Sequence, residues 1–360
     1  MRRFVTFHLL FTILFLFSAF VNAQSSTILR TKTRTKKTIE INKDSLYFAR
    51  HYSKQEVNIP MRDGANLFTA IYTPKNKIEK HPILLWRTPY SVSPYGEDKF
   101  PTRRLSSYLH FIEENYIIVF QDVRGKFMSD GTFVNMRPYI PNKTENQIDE
   151  SSDAFDTIEW LVNNVDNNNG NVGVWGISYP GFYASMSAID AHPALKAVSP
   201  QAPIADWFIG DDMHHNGAFS LLLNFNFFKV FGINRTQKIT SWAKAIEYPS
   251  PDAYNFFLEL GPLKNVNLEY FKNSIAFWDS SMAHPNYDNY WQTRNTLPHF
   301  NNITPAILTV GGWFDGEDLF GTVKTYKSIE NKNPHINNSL VLGPWPHGGW
   351  ARSNGENLVI

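Results

Sequence analysis

Residues 56–74 alternate apolar and polar side chains in two runs separated by Arg62-Asp63-Gly64, the spacing of a β-hairpin closed by an Asp-Gly turn. Further along, the alternation gives way to short runs that are apolar almost throughout: 83–86, 116–120, 172–175, 197–199, 306–310 and 340–342. Such runs read as strands buried on both faces. Between the second and third, residues 152–164 space Phe155, Ile158, Trp160, Leu161 and Val162 along an amphipathic helix, with Ser151, Ser152 and Asp153 available as caps. The strand-helix-strand rhythm predicts a mostly parallel sheet with helices on both faces. It breaks between residues 205 and 301. Of the 54 aromatic residues, 20 fall in positions 201–300, and stretches 219–231 and 254–260 read as helices with broad apolar faces. This segment is expected to be an insertion that caps the C-terminal edge of the sheet.

The first residues carry a different message. Arg2 and Arg3 precede an apolar run from 4 to 20 and the small-residue pattern Val21-Asn22-Ala23, so residues 1–23 read as a secretory signal cut after Ala23. A membrane anchor is the alternative, since the run is close to the shortest that spans a bilayer. Residues 24–50 read as a basic, flexible leader. The predicted organisation is a mostly parallel sheet built from 51–204 and 302–360 with the cap at 205–301, and the predicted location is secreted or periplasmic, without a stable membrane anchor after cleavage.

Charge and composition narrow the chemistry. With 34 Lys+Arg against 33 Asp+Glu, the formal net charge is +1, which offers nucleic acid no bulk attraction. There is no cysteine, so disulfides, thiolate metal sites and cysteine nucleophiles are excluded. The chemistry instead points to Gly176-Ile177-Ser178-Tyr179-Pro180-Gly181, where an apolar run meets a helix with serine at the apex. Such a turn exposes the hydroxyl beside free helix N–H groups, although here the second glycine follows the serine by three positions instead of two. A serine nucleophile needs a base and a group to orient it, in the order Ser, Asp, His for this fold. Asp315 follows the run at 306–310, in Gly311-Gly312-Trp313-Phe314-Asp315, and His347 follows the next, in Gly343-Pro344-Trp345-Pro346-His347-Gly348. His192 sits at a predicted helix end and His214 and His215 in the cap, and the adjacent pair has no accompanying zinc-ligand pattern.

At these residues the chain resembles the α-amino acid ester hydrolases, within the wider group of cocaine esterase, glutaryl-cephalosporin acylase and X-prolyl dipeptidyl peptidase. The likeness runs from about residue 56 to 352 and rests on Arg87-Thr88-Pro89-Tyr90, the Asp122 to Gly131 stretch, the serine turn, Gly311 to Asp318 and Gly343 to Gly348. It implies an α/β-hydrolase fold with an inserted helical cap, and a triad of Ser178, Asp315 and His347. It also implies an oxyanion hole from the Tyr179 N–H and the Tyr90 hydroxyl, and a carboxylate cluster of Asp212, Glu317 and Asp318 for the substrate ammonium. Sequence alone does not separate Asp211 from Asp212. The implied reaction is acyl-enzyme hydrolysis of α-amino acid esters or amides, with acyl transfer to β-lactam amines and X-prolyl dipeptide release as related activities, and without metal or organic cofactor. A non-catalytic binding protein of the same fold is the third reading. Family members continue past the histidine into a closing helix and a jelly-roll domain, and some form oligomers. This chain is therefore expected to be truncated, with that C-terminal jelly-roll absent and apolar surface left open.

Overall fold

A computed structural model describes residues 47–247, 250 and 252–352; the signal, the alternative anchor and the leader up to residue 46 lie outside them. The hairpin forms as expected: β1 (Tyr52–Pro60) pairs antiparallel with β2 (Asn66–Pro74), with Ile59 opposite Leu67. Gly64 turns the chain at φ 86°, where an L side chain is strained. The remaining strands are β3 (His81–Thr88), β4 (Ile117–Asp122), β5 (Asn168–Ile177), β6 (Leu195–Gln201), β7 (Ala306–Gly312) and β8 (Asn338–Gly343). They order as β1-β2-β4-β3-β5-β6-β7-β8, parallel from β4 onward. This is the α/β-hydrolase fold.

Three helices fasten the sheet: α1 (Glu150–Asn164) before β5, α2 (Tyr179–Ser187) after it, and, further along the chain, a helix at Leu319–Lys332 between β7 and β8. One core packs α1 and α2 on the sheet through Ile83, Leu85, Val119, Ile158, Val174 and Phe182. A second lies around Tyr72, Leu84, Tyr108, Ile118 and Phe120. Phe48 is fully buried there, in a short helix at Tyr47–His51. The last residues of the expected flexible leader are thus ordered, because that aromatic ring has a core to enter.

Two other expectations change. The cap of α1 is Asp149, which accepts from the Ser152 N–H at 2.9 Å while the Ser152 hydroxyl accepts from the Asp149 N–H at 2.8 Å. Ser151 instead donates to Asp149, and Asp153 points into an ion network. The strands are also unequal. All of β4 is buried, but Leu308 on β7 and Val341 on β8 are each 42% exposed. One face of the sheet there borders a cavity of about 990 Å³ lined by Leu84, Trp86, Trp175, Leu308 and Trp350. An apolar run alone does not reveal which of its faces is covered.

Between β6 and β7 the aromatic segment forms α3 (Leu221–Phe231), α4 (Ala253–Leu260) and α5 (Ala276–Ala283); the helix at Leu319–Lys332 is α6. Phe225, Phe228, Phe256, Phe277 and Trp278 bury against one another and against Trp207. Among the described residues no helix is long and apolar enough to cross a membrane.

Candidate active site

The serine turn is strained as a nucleophile turn requires. Ser178 caps α2 at φ 67°, ψ −129°, a conformation costing a non-glycine residue about 1–3 kcal/mol. The bond from Ser178 N–H to the Gln201 carbonyl, 2.9 Å, ties the turn to the end of β6. The glycine spacing has a packing cause: a Cβ on Gly181 would lie 2.5 Å from the Gln201 carbonyl oxygen, so its absence lets α2 meet β6. As the first residue of α2, Tyr179 has no intrahelical acceptor for its N–H. Its side chain is buried, with the hydroxyl held between the Met136 N–H and Asn135 Oδ1.

Asp315 and His347 meet from the ends of neighbouring strands, Nδ1 to Oδ2 2.9 Å. Asp315 also accepts from the Glu317 and Asp318 N–H groups, at 2.8 and 3.0 Å. Burial opposes its charge, but the imidazole and these two amides hold its carboxyl below the usual carboxylate range. Burial likewise opposes charge on His347, yet the Asp315 bond and the Glu317, Asp315 and Asp212 charges raise its pKa. The other ring nitrogen, Nε2, lies 3.7 Å from Glu317 Oε2. Both Glu317 and Ser178 line one cavity of about 60 Å³.

That cavity also gathers Tyr90, Tyr179 and Asp212, whereas Asp318, Asp315 and His347 do not line it. Tyr90 lines it with its hydroxyl facing Ser178, and burial followed by the Asp212, Asp318 and Glu317 charges raises its pKa, so the phenol stays a donor. Asp212 is held by the Trp207 Nε1 at 2.8 Å. Asp318 is fully buried against Asp212, and its carboxyl finds no donor among the described residues. Burial first, then the Asp212, Asp211 and Asp315 charges, push Asp318 well above the carboxylate range, and burial with Glu317 raises Asp212 to about 6. Asp211 is separated from Asp212 by its role. It accepts from the Ala205, Asp206 and Gly321 amides at 2.9, 2.9 and 2.6 Å and so braces the chain that carries the cap.

Two arginines from the motifs that carry the likeness, and the histidines set aside above, are scaffolding. Arg87 bonds Gln121 and the Glu150 carbonyl, each at 2.9 Å, and Arg124 bridges Asp153 and Asp63, each at 2.7 Å. His192 pairs with Glu159 at 2.6 Å, while His214 packs against the Phe208 ring at 4.2 Å. Trp207 carried no signal beyond its place in an aromatic-rich stretch, although it both orients Asp212 and walls the cavity.

A family model described as X-Pro dipeptidyl-peptidase (S15 family) matches residues 63–349. The chain belongs to the S15 family. Among curated proteins of known sequence it is 28% identical over 317 residues to cocaine esterase of Rhodococcus sp. (strain MB1 Bresler), an alignment covering 83% of this chain and 50% of the relative. Among solved structures it is similar to an α-amino acid ester hydrolase, at 36% identity and TM-score 0.73 over 82% of this chain and 48% of that one. It is also similar to an aminopeptidase from the marine sediment archaeon Thaumarchaeota archaeon, at 35% identity and TM-score 0.71 over 83% and 49%. The chain spans about half the length of these relatives.

Proposed function

We propose that this protein is an exported serine hydrolase that cleaves esters, and by the same chemistry amides, of α-amino acids. The observation that carries the reading is the gathering of Tyr90, Asp212 and Glu317 with Ser178 in one cavity, where Glu317 lies 3.7 Å from Nε2 of the Asp315-paired His347. In this reading Ser178 attacks the acyl carbon and His347 takes its proton, then returns it to the leaving group. Asp315 holds the imidazole in the tautomer that leaves Nε2 free to act. The negative oxygen of the tetrahedral intermediate receives the Tyr179 N–H and the Tyr90 hydroxyl, and losing one such donor costs roughly 3–4 kcal/mol of barrier. Water then attacks the acyl-enzyme. A β-lactam amine in place of water would yield an acylated antibiotic.

The substrate handle is the α-ammonium. Asp212 and Glu317 crowd negative charge beside the nucleophile, a repulsion that raises Asp212 and that an arriving cation relieves. The signal at residues 1–23 supports export, and N-terminal sequencing of the mature protein from the extracellular or periplasmic fraction checks it.

The deciding experiment compares kcat/KM for a phenylglycine ester and the same ester lacking the amino group. The amino ester is expected to be strongly preferred; equal values would remove the ammonium site. Ser178→Ala should also abolish labelling by a serine-reactive phosphonate. The family match favours X-prolyl dipeptide release as the second reading, and a proline-containing dipeptide anilide distinguishes it.

A further inference from the structure

A second cavity, of about 440 Å³, lies one aromatic layer away from the Ser178 cavity. Phe231 on its wall contacts the Tyr90 ring at 5.6 Å between centroids and stacks on Phe227 at 4.5 Å, and both of those rings line the Ser178 cavity. Its chemistry is the reverse of the acidic one. Lys126, Arg235 and Arg294 line it, and no carboxylate does among the described residues.

Each of the three cations is held by neutral groups. Lys126 is 8% exposed; its Nζ donates to the Phe231 carbonyl at 2.9 Å and lies 3.8 and 4.2 Å from the Phe231 and Phe133 ring centroids. Arg235 donates to the Phe127 and Ser129 carbonyls. Arg294 donates to those of Tyr290 and Asn135 while lying over the Tyr290 ring at 3.7 Å. Asp122 and Asp130 attract Arg235 only from further off, and Asp130 is itself paired with Lys238 at 2.8 Å. Burial, then repulsion from Arg235, lowers Lys126 to about 7. An ammonium without a counter-ion in such surroundings is strongly destabilising. Three cations around one cavity with aromatic walls form a receptor for an anion on an apolar body, and guanidinium is suited to carboxylate.

We infer that this cavity binds a carboxylate carried on an apolar, aromatic body, at a site apart from the Ser178 cavity.

Benzoate, a flat ring bearing one carboxylate, is the probe. Titrated into the full chain at fixed ionic strength, it should give a saturable change in tryptophan fluorescence through Trp242, which lines the cavity and is 40% exposed. Lys126→Met and Arg294→Gln should each weaken binding ~10–100-fold, the usual worth of a hydrogen bond to a charged group. Arg294 is half-buried at the cavity wall, so its variant keeps the test decisive if Lys126→Met does not fold. Phenylacetate should then displace benzoate at a concentration ~10-fold lower than its amide, phenylacetamide. No saturable response, binding that both variants leave unchanged, or equal displacement by acid and amide would each overturn the inference. These readouts need no turnover. Failure of the ester comparison would therefore strike the hydrolase reading and leave this one to be judged by binding.

Discussion

Asp211 and Asp212 are chemically identical neighbours, and only their surroundings give them different work. Three backbone amides converge on Asp211, which makes it a brace, whereas Asp212 faces Glu317, Asp318 and Tyr90 around Ser178. Because burial and Glu317 raise Asp212 to about 6, Asp212 offers an ammonium its charge above that pH and loses it below. The ratio of kcat/KM for an α-amino ester over its des-amino analogue should therefore fall as pH drops through about 6. Protonation of His347 acts on both esters and cancels in the ratio. Measured below about pH 7, where the substrate amine is still charged, the ratio should lose its pH dependence in Asp212→Asn, and a ratio already flat in the parent chain would refute the assignment. At this scale Ser178, Asp315 and His347 were legible because each follows an apolar run that becomes a strand. Trp207 was not, since an indole N–H donor is visible only once its acceptor is in place.

Elements decide how those residues meet. The loops after β7 and β8 approach so closely that a Cβ on Gly312 would stand 2.0 Å from the Trp345 carbonyl oxygen. This close contact sets the reach from Asp315 to His347. Gly312→Ala should push the loops apart and lower kcat on a phenylglycine ester by at least ~10-fold, in proportion to the lost alignment of the base. The effect should fall on kcat more than on KM, with far-ultraviolet circular dichroism unchanged; a KM effect alone would contradict it. Element type was readable from periodicity: every apolar run expected as a strand is one, and α1, α3 and α4 lie where their apolar faces placed them. Element ends were less so. The cap of α1 falls on Asp149, one turn before the predicted helix start at residue 152, because Asp149 and Ser152 satisfy each other's backbone N–H.

Across the whole molecule, the sheet is tied to its edges by buried charge. Arg124, at the end of β4, bonds Asp153 on α1 and Asp63 in the β1–β2 turn, while Arg87 from β3 reaches Glu150 and Asp153. Arg124→Met would leave Asp153, which is fully buried, with only the longer 3.8 Å contact to Arg87. Losing one partner of a buried pair costs roughly 3–5 kcal/mol, and denaturant unfolding should show a loss of that size; a change below about 1 kcal/mol would mean that Asp153 is satisfied without Arg124. The same two arginines stand in motifs that carry the family resemblance, and their contacts make them structural. From the sequence alone came the strand-helix alternation, the order of serine, aspartate and histidine, and the aromatic insertion, because periodicity and chain order are local or linear properties. Tertiary structure alone decided which aspartate shares a cavity with Ser178, which strand faces are covered, and that a cationic cavity stands one ring away from an acidic one. Burial and charge pairing depend on residues that are far apart in the chain, and no reading along the chain brings them together.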